Sequence, residues 1–129
     1  MEAILEAALK ARHFAHAPFS KFLVGAAIED SGGHIWTGCN VENASYGLTI
    51  CAERVAVFKA ISEGVKPRAF RRIAIAADTD KLTPPCGACR QILWEFLGDV
   101  EVILVNPQGK TARYQMIDLL PEPFDATFI

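Results

Sequence analysis

Apolar residues near the start of the chain recur at helical spacing. Ile4, Leu5, Ala8, Leu9 and Ala15 form one stripe, the residues between them favour helix, and the pattern predicts a helix over 2–15 that Pro18 ends. His13 and His16 then fall at a solvated helix end. From Lys21 to Glu29 the pattern becomes that of a strand, Asp30-Ser31-Gly32-Gly33 carries turn chemistry, and His34–Cys39 supplies a hairpin partner. Gly25 leaves room for a close approach to the strand's backbone, by a ligand among other candidates.

A polar loop over 40–48 leads into a second helix at 50–63, whose Ala52, Val55, Ala56, Val57, Phe58, Ala60 and Ile61 leave little polar face. Such a helix belongs in the interior, and Gly64 stops it. Residues 71–77 read as a buried strand and 78–83 as a loop. Pro85 opens a third helix, where its missing N–H costs nothing, and that helix runs to Gly98. A strand at 101–105, a turn at 106–109, a short strand at 111–114 and a brief helix at 115–120 follow. The strand-helix-strand order from Ile73 to Val105 implies a parallel, right-handed crossover. The fold class expected is therefore α/β, a mixed sheet flanked by helices. Its site should lie outside the carboxyl ends of the parallel strands, where the loop leading to Cys86 sits.

Composition narrows the function. A chain of 129 residues with no linker or repeat reads as one domain over 1–129. Hydrophobic residues make up 51%, which calls for a dense core or for apolar surface covered by other subunits. A net charge of -2 provides no basic footprint for a phosphate backbone, so no nucleic acid partner is expected. No apolar run approaches the roughly 20 residues that span a bilayer. With no signal peptide, the four cysteines are expected reduced, in a cytoplasmic protein, and available to a metal.

The chemistry concentrates at two helix starts. Cys86 and Cys89 in Pro84-Pro85-Cys86-Gly87-Ala88-Cys89-Arg90-Gln91 have the i, i+3 spacing of a zinc-ligand pair. Cys51, in Thr49-Ile50-Cys51-Ala52-Glu53-Arg54, is the natural third ligand, because Cys39 has no CxxC partner and no adjacent acid. Three protein ligands leave a zinc ion one open position, the mark of a catalytic site. Glu53 lies near enough to Cys51 to serve there as a proton carrier. Arg54 and Arg90 adjoin ligands and are candidates to hydrogen-bond sulfur. Cys-Ala-Glu followed by Pro-Cys-x-x-Cys corresponds to a zinc-deaminase signature in its three-cysteine form.

Other residues keep two readings. Asn40 and Glu42 alternate with Val41, so an extended chain projects both to one side, suited to a sugar's hydroxyl pair. They equally suit an Asx turn and a solvated acid. Phe22, at a strand start, reads as core or as pocket lining.

The order of Phe22-Leu23-Val24-Gly25-Ala26-Ala27, Gly38-Cys39-Asn40-Val41-Glu42-Asn43-Ala44-Ser45-Tyr46, Cys51-Ala52-Glu53-Arg54 and Pro85-Cys86-Gly87-Ala88-Cys89-Arg90-Gln91 resembles that of the cytidine deaminases. The short, homotetrameric, zinc-dependent type is the nearest, and the resemblance runs from about Pro18 to Phe124. It implies a three-layer sandwich around a five-stranded mixed sheet, and hydrolytic deamination of cytidine and 2′-deoxycytidine in pyrimidine salvage. It further implies that Phe22 lines the base pocket, that Asn40 and Glu42 bind the ribose, and that the Ala52 N–H meets the base carbonyl. The carbonyl of Pro84, where the family often has Ser or Thr, would accept from the departing amine. Glu53 would carry protons from the attacking water to N3 and then to the leaving amino group. Tyr46 and Phe124 resemble residues that reach a neighbouring subunit's site, though core packing or a plain subunit contact explains them equally.

Three competing readings account for less. A thioredoxin-like redox role for the CxxC leaves Cys51-Ala52-Glu53 unexplained. A structural zinc module needs Cys39 as a fourth ligand. A deaminase of another aminonucleoside, of the blasticidin S type, shares the metal motifs and should differ around Asn40 to Tyr46.

Overall fold

The computed structural model describes residues 1–129. Its elements are α1 (Ala3–Arg12), β1 (Val24–Asp30), β2 (Ile35–Cys39), α2 (Ala52–Ser62), β3 (Phe70–Ala77), α3 (Gly87–Leu97), β4 (Glu101–Val105), β5 (Thr111–Gln115) and α4 (Met116–Leu119). The strands form one sheet in the order β2-β1-β3-β4-β5. Only β3 and β4 pair in parallel, joined through α3 as the strand-helix-strand pattern implies. The other three pairings are antiparallel.

Side-chain size differs between the two faces of the sheet, and that difference sets the layers. Val24, Ala26, Ile28, Ile73, Ile75, Val102 and Leu104 project to one side and pack with Ala56, Val57 and Ala60 of α2 and Leu93 and Leu97 of α3. On the other side Ala27, Ala74, Ala76, Ile103 and Val105 meet Ile4, Leu5 and Ala8 of α1. With helices on both faces, β3 and β4 are buried almost throughout and read as continuous apolar runs. The result is the expected three-layer sandwich around a mixed five-stranded sheet.

The small residues on the α1 side let that helix sit close. A Cβ placed on Gly25 would lie 2.1 Å from the Ala8 carbonyl oxygen and 2.5 Å from the Arg12 nitrogen. The room that Gly25 leaves is therefore taken by α1, not by a ligand. Gly38 admits α2 in the same way, 2.5 Å from the Ala52 oxygen.

The first helix ends at Arg12, three residues short of the apolar stripe's end. Beyond it the His16 N–H donates to the Asn40 carbonyl, and the His16 carbonyl accepts from the Glu42 N–H. Pairing with the 40–42 segment draws the chain into an extended path before Pro18 is reached. That pairing also sets residues 40–42 beside the strand-entry segment 19–24.

Candidate active site

Two helices begin side by side, and each begins on a cysteine. Cys51 is the N-cap of α2 and Cys86 the N-cap of α3, with Cys89 in the first turn of α3. Their contact with each other lies at the end of the sheet where β3 hands over to the loop bearing Cys86. The sulfurs of Cys51, Cys86 and Cys89 all lie within 4.8 Å of one another, and those of Cys51 and Cys86 are 3.8 Å apart. In a tetrahedral site with zinc–sulfur bonds of about 2.3 Å, neighbouring sulfurs sit about 3.8 Å apart. The cluster therefore has the spacing zinc requires, and Cys39 is not part of it.

Burial grades across the cluster, from a buried Cys89 to an exposed Cys86, so one side faces solvent. Two helix N-termini point positive ends toward the sulfurs, which favours thiolate. The Arg54 guanidinium donates to the Cys51 sulfur at 3.4 Å. A hydrogen bond from Cys89, aided by Arg54, draws the Cys51 thiol well below its usual value. Cys89 is pushed up by sharing that proton with Cys51 and by its burial.

Glu53 occupies the first turn of α2 and is 4% exposed. Burial, with the Cys51 charge adding to it, pushes its carboxyl up to about 7. A carboxyl poised there can both take and return a proton near neutral pH.

A cleft of about 300 Å³ runs from this cluster to the strand-entry segment. Cys51, Ala52, Glu53, Pro84 and Cys86 line one end; Ser20, Phe22, Asn40 and Glu42 line the other. Asn40 and Glu42 are buried, yet their hydrogen bonds leave capacity unused. The Asn40 Oδ1 accepts from the Val24 N–H at 2.9 Å and its amide donates to the Phe22 carbonyl at 2.8 Å. One N–H and one lone pair of that amide remain. Glu42 accepts from the N–H groups of Phe19 and Ser20 and from the Ser20 hydroxyl, which leaves one of its roughly four acceptor positions. One donor and two acceptors side by side match a pair of sugar hydroxyls.

The remaining predicted residues fall in different places. Arg90 does not reach sulfur: its guanidinium donates to the Pro85 carbonyl at 2.8 Å and the Leu119 carbonyl at 3.0 Å. The carbonyls at the start of α3 and the end of α4 are the stronger acceptors within its reach, so Arg90 braces the cysteine-bearing turn from outside. Tyr46 is 70% exposed and borders an adjoining hollow that shares Ser20, Glu42 and Thr49 with the cleft. Phe124 is 58% exposed beside Phe128, in a hollow that shares no residue with the cleft, and the Gln91 amide donates to its carbonyl. A larger hollow of about 450 Å³, between α1, β2 and α2, contains Cys39 and none of the cluster. Sequence reasoning passed over Ser20, Thr49 and Thr83, all of which line the cleft. The signal for Ser20 was its place two residues before Phe22, the spacing at which a serine hydroxyl caps a backbone N–H.

A three-layer α/β fold with three thiols and a buried acid at paired helix starts defines the zinc-deaminase class. Residues 1–106 match the family model for the cytidine and deoxycytidylate deaminase zinc-binding region. The chain is 50% identical over 125 residues to a probable cytidine deaminase of Dictyostelium discoideum, covering 96% of this chain and 83% of that one. It is 46% identical over 125 residues to a cytidine deaminase of Sporosarcina psychrophila, covering 96% and 90%. A crystal structure of cytidine deaminase from Burkholderia pseudomallei superposes with a TM-score of 0.92 at 48% identity, covering 95% of this chain and 97% of that one. The chain belongs to the cytidine and deoxycytidylate deaminase zinc-binding family, and zinc is the metal its three-cysteine cluster fits.

Proposed function

We propose that this protein is a zinc-dependent hydrolase that deaminates cytidine and 2′-deoxycytidine to uridine and 2′-deoxyuridine, releasing ammonia. The observation that carries the reading is one cleft with a three-thiol cluster and a buried acid at one end and unsatisfied sugar-matching groups at the other. Its relatives, named as cytidine deaminases, supply the reaction class.

Cys51, Cys86 and Cys89 would hold zinc, which would supply the Lewis acidity that lets water act as a nucleophile near neutral pH. Glu53 would take one proton of the attacking water and deliver it to N3 of the base; after addition at C4 it would take the proton of the new C4 hydroxyl and pass it to the amino group, which leaves as ammonia as the C4 carbonyl forms. The Ala52 N–H, at the first position of α2, has no acceptor within its helix and is available to the base carbonyl. Pro84 lines the same end of the cleft, and its carbonyl is the acceptor suited to the departing amine. Phe22 packs against the ring, while Asn40 and Glu42 take the sugar hydroxyls. Arg54 spreads the negative charge of the thiolates.

The same reading extends to assembly. Phe14, Tyr46, Leu48, Phe124 and Phe128 are each more than half exposed, an apolar surface that favours burial between copies. A homotetramer in which Tyr46 and Phe124 reach a neighbour's cleft accounts for neither ring lining its own. Reduced thiols at the cluster suit a cytoplasmic protein, and no helix is long and apolar enough to cross a membrane.

Loss of cytidine's absorbance together with ammonia release, measured on zinc-loaded protein beside a zinc-loaded Glu53→Ala variant, tests the reading. Turnover by the first and none by the second is expected. A zinc-loaded protein inert toward both cytidine and 2′-deoxycytidine would overturn it.

A further inference from the structure

The segment from Phe19 to Val24 crosses the sugar end of the cleft, and three side chains fix it there. Oε1 of Glu42 accepts from the Phe19 and Ser20 N–H groups, each at 3.1 Å. Oε2 of Glu42 accepts from the Ser20 hydroxyl. The Ser20 Oγ in turn accepts from the Phe22 N–H at 3.1 Å. Asn40 secures the far end through Phe22 and Val24.

The direction of this chain of bonds is forced. An ionised carboxylate only accepts, so the Ser20 proton points to Glu42 and the Ser20 lone pairs face Phe22. Between them Lys21 has φ 61, a left-handed conformation that a lysine avoids on its own. The turn carrying Phe22 is thus held by the network rather than by its own preference. A hydroxyl donating to the open position on Oε2 shares that oxygen with Ser20, and any change there passes to the Phe22 backbone through a single atom.

We propose that Ser20 is a positioning residue that links the sugar-reading carboxylate of Glu42 to the base-facing ring of Phe22, so that a bound sugar sets the ring. This rests on the nucleoside reading of the cleft given above. Ser20 touches neither reacting atom; it acts through Phe22.

The test is kinetic, on the zinc-loaded protein. Ser20→Ala is expected to raise KM for cytidine about tenfold, the value of roughly one hydrogen bond, with kcat changed less than twofold. Ser20→Thr keeps the γ-hydroxyl and restores KM. Glu42→Gln and Phe22→Leu should be non-additive in KM when Ser20 is present and additive in the Ser20→Ala background. A serine that merely stiffened the segment would lower the melting temperature and leave that additivity unaltered. An unchanged KM in Ser20→Ala, or additive effects with Ser20 present, overturns the proposal. If the protein leaves cytidine untouched, the nucleoside reading fails by itself, and the Phe22 amide resonance still tests the link. That resonance should shift on Glu42→Gln with Ser20 present and stay still in Ser20→Ala; a resonance unmoved in both overturns the link.

Discussion

The sulfurs of Cys51 and Cys86 lie 3.8 Å apart although each belongs to a different helix. Each cysteine occupies the N-cap position of its helix, so the contact forms only when the two helix starts are packed together on the sheet. Cys51→Ser and Cys89→Ser are each expected to lose zinc, because a hydroxyl is a poor substitute for thiolate. Cys39→Ser, outside the cluster, is expected to retain one zinc per chain, as read by atomic absorption after dialysis.

Glu53 is the one acid buried against the sulfurs. Replacing it with glutamine keeps the shape and removes the carboxyl proposed above to carry protons. Zinc content should hold while turnover falls about 10²- to 10⁴-fold, the usual range for a positioned acid–base group. A variant retaining a tenth of the wild-type rate would remove Glu53 from the reaction.

The same carboxyl makes the metal-free protein sensitive to pH. Its value is raised to about 7 in the folded chain from an ordinary 4.5, so the folded state holds the proton more tightly than the unfolded one. The stability this lends is complete below about pH 4.5 and is lost as pH rises through about 7. Relative to metal-free Glu53→Gln, metal-free wild type should therefore lose up to about 3 kcal/mol between those limits, at roughly 1.4 kcal/mol per unit. Urea unfolding of both chains at a series of pH values measures the difference; parallel curves would refute it.

Asn40 satisfies a backbone donor at Val24 and an acceptor at Phe22. Asn40→Ala strands both, and a loss of about 1–3 kcal/mol is expected in thermal unfolding. Asn40→Asp keeps the acceptor for Val24 and loses the donor to Phe22, so it should fall between the two.

Gly25 is the point where α1 comes nearest the sheet. A methyl group there meets backbone at 2.1 Å and 2.5 Å, which no side-chain rotation relieves. Gly25→Ala should cost at least about 1–3 kcal/mol and reduce soluble yield. An unchanged melting temperature would mean that α1 shifts freely, contrary to this packing.

The exposed aromatics call for a partner surface. Light scattering on the purified protein should return a mass near four times 14.1 kDa. Tyr46→Ala and Phe124→Ala should each reduce turnover if these rings complete a neighbour's cleft, and leave it intact if they serve only as packing.

Much of this was legible in the chain itself, because local physics decides it. The period of apolar positions marked α2, α3 and every strand to within a few residues, and Gly98 ends α3 with φ 82, while Pro85 lies one residue before the Cys86 N-cap rather than at the helix's first position. CxxC at a helix start, an acid two residues past a third cysteine and the low net charge are all features a linear sequence displays. They were enough to point to zinc and to a proton carrier.

What the sequence left open depends on contacts between distant segments. The end of α1 was set by the pairing of His16 with Asn40 and Glu42, which outweighed the apolar stripe continuing to Ala15. Arg90 adjoins a ligand in sequence, yet the carbonyls of Pro85 and Leu119 lie where its guanidinium ends. Ser20 offered only its spacing to Phe22, and its bond to Glu42 came with the fold. Helix period and ligand spacing are short-range properties written residue by residue. Which acceptor a long side chain finds, and which groups share a cleft, follow from how the layers pack.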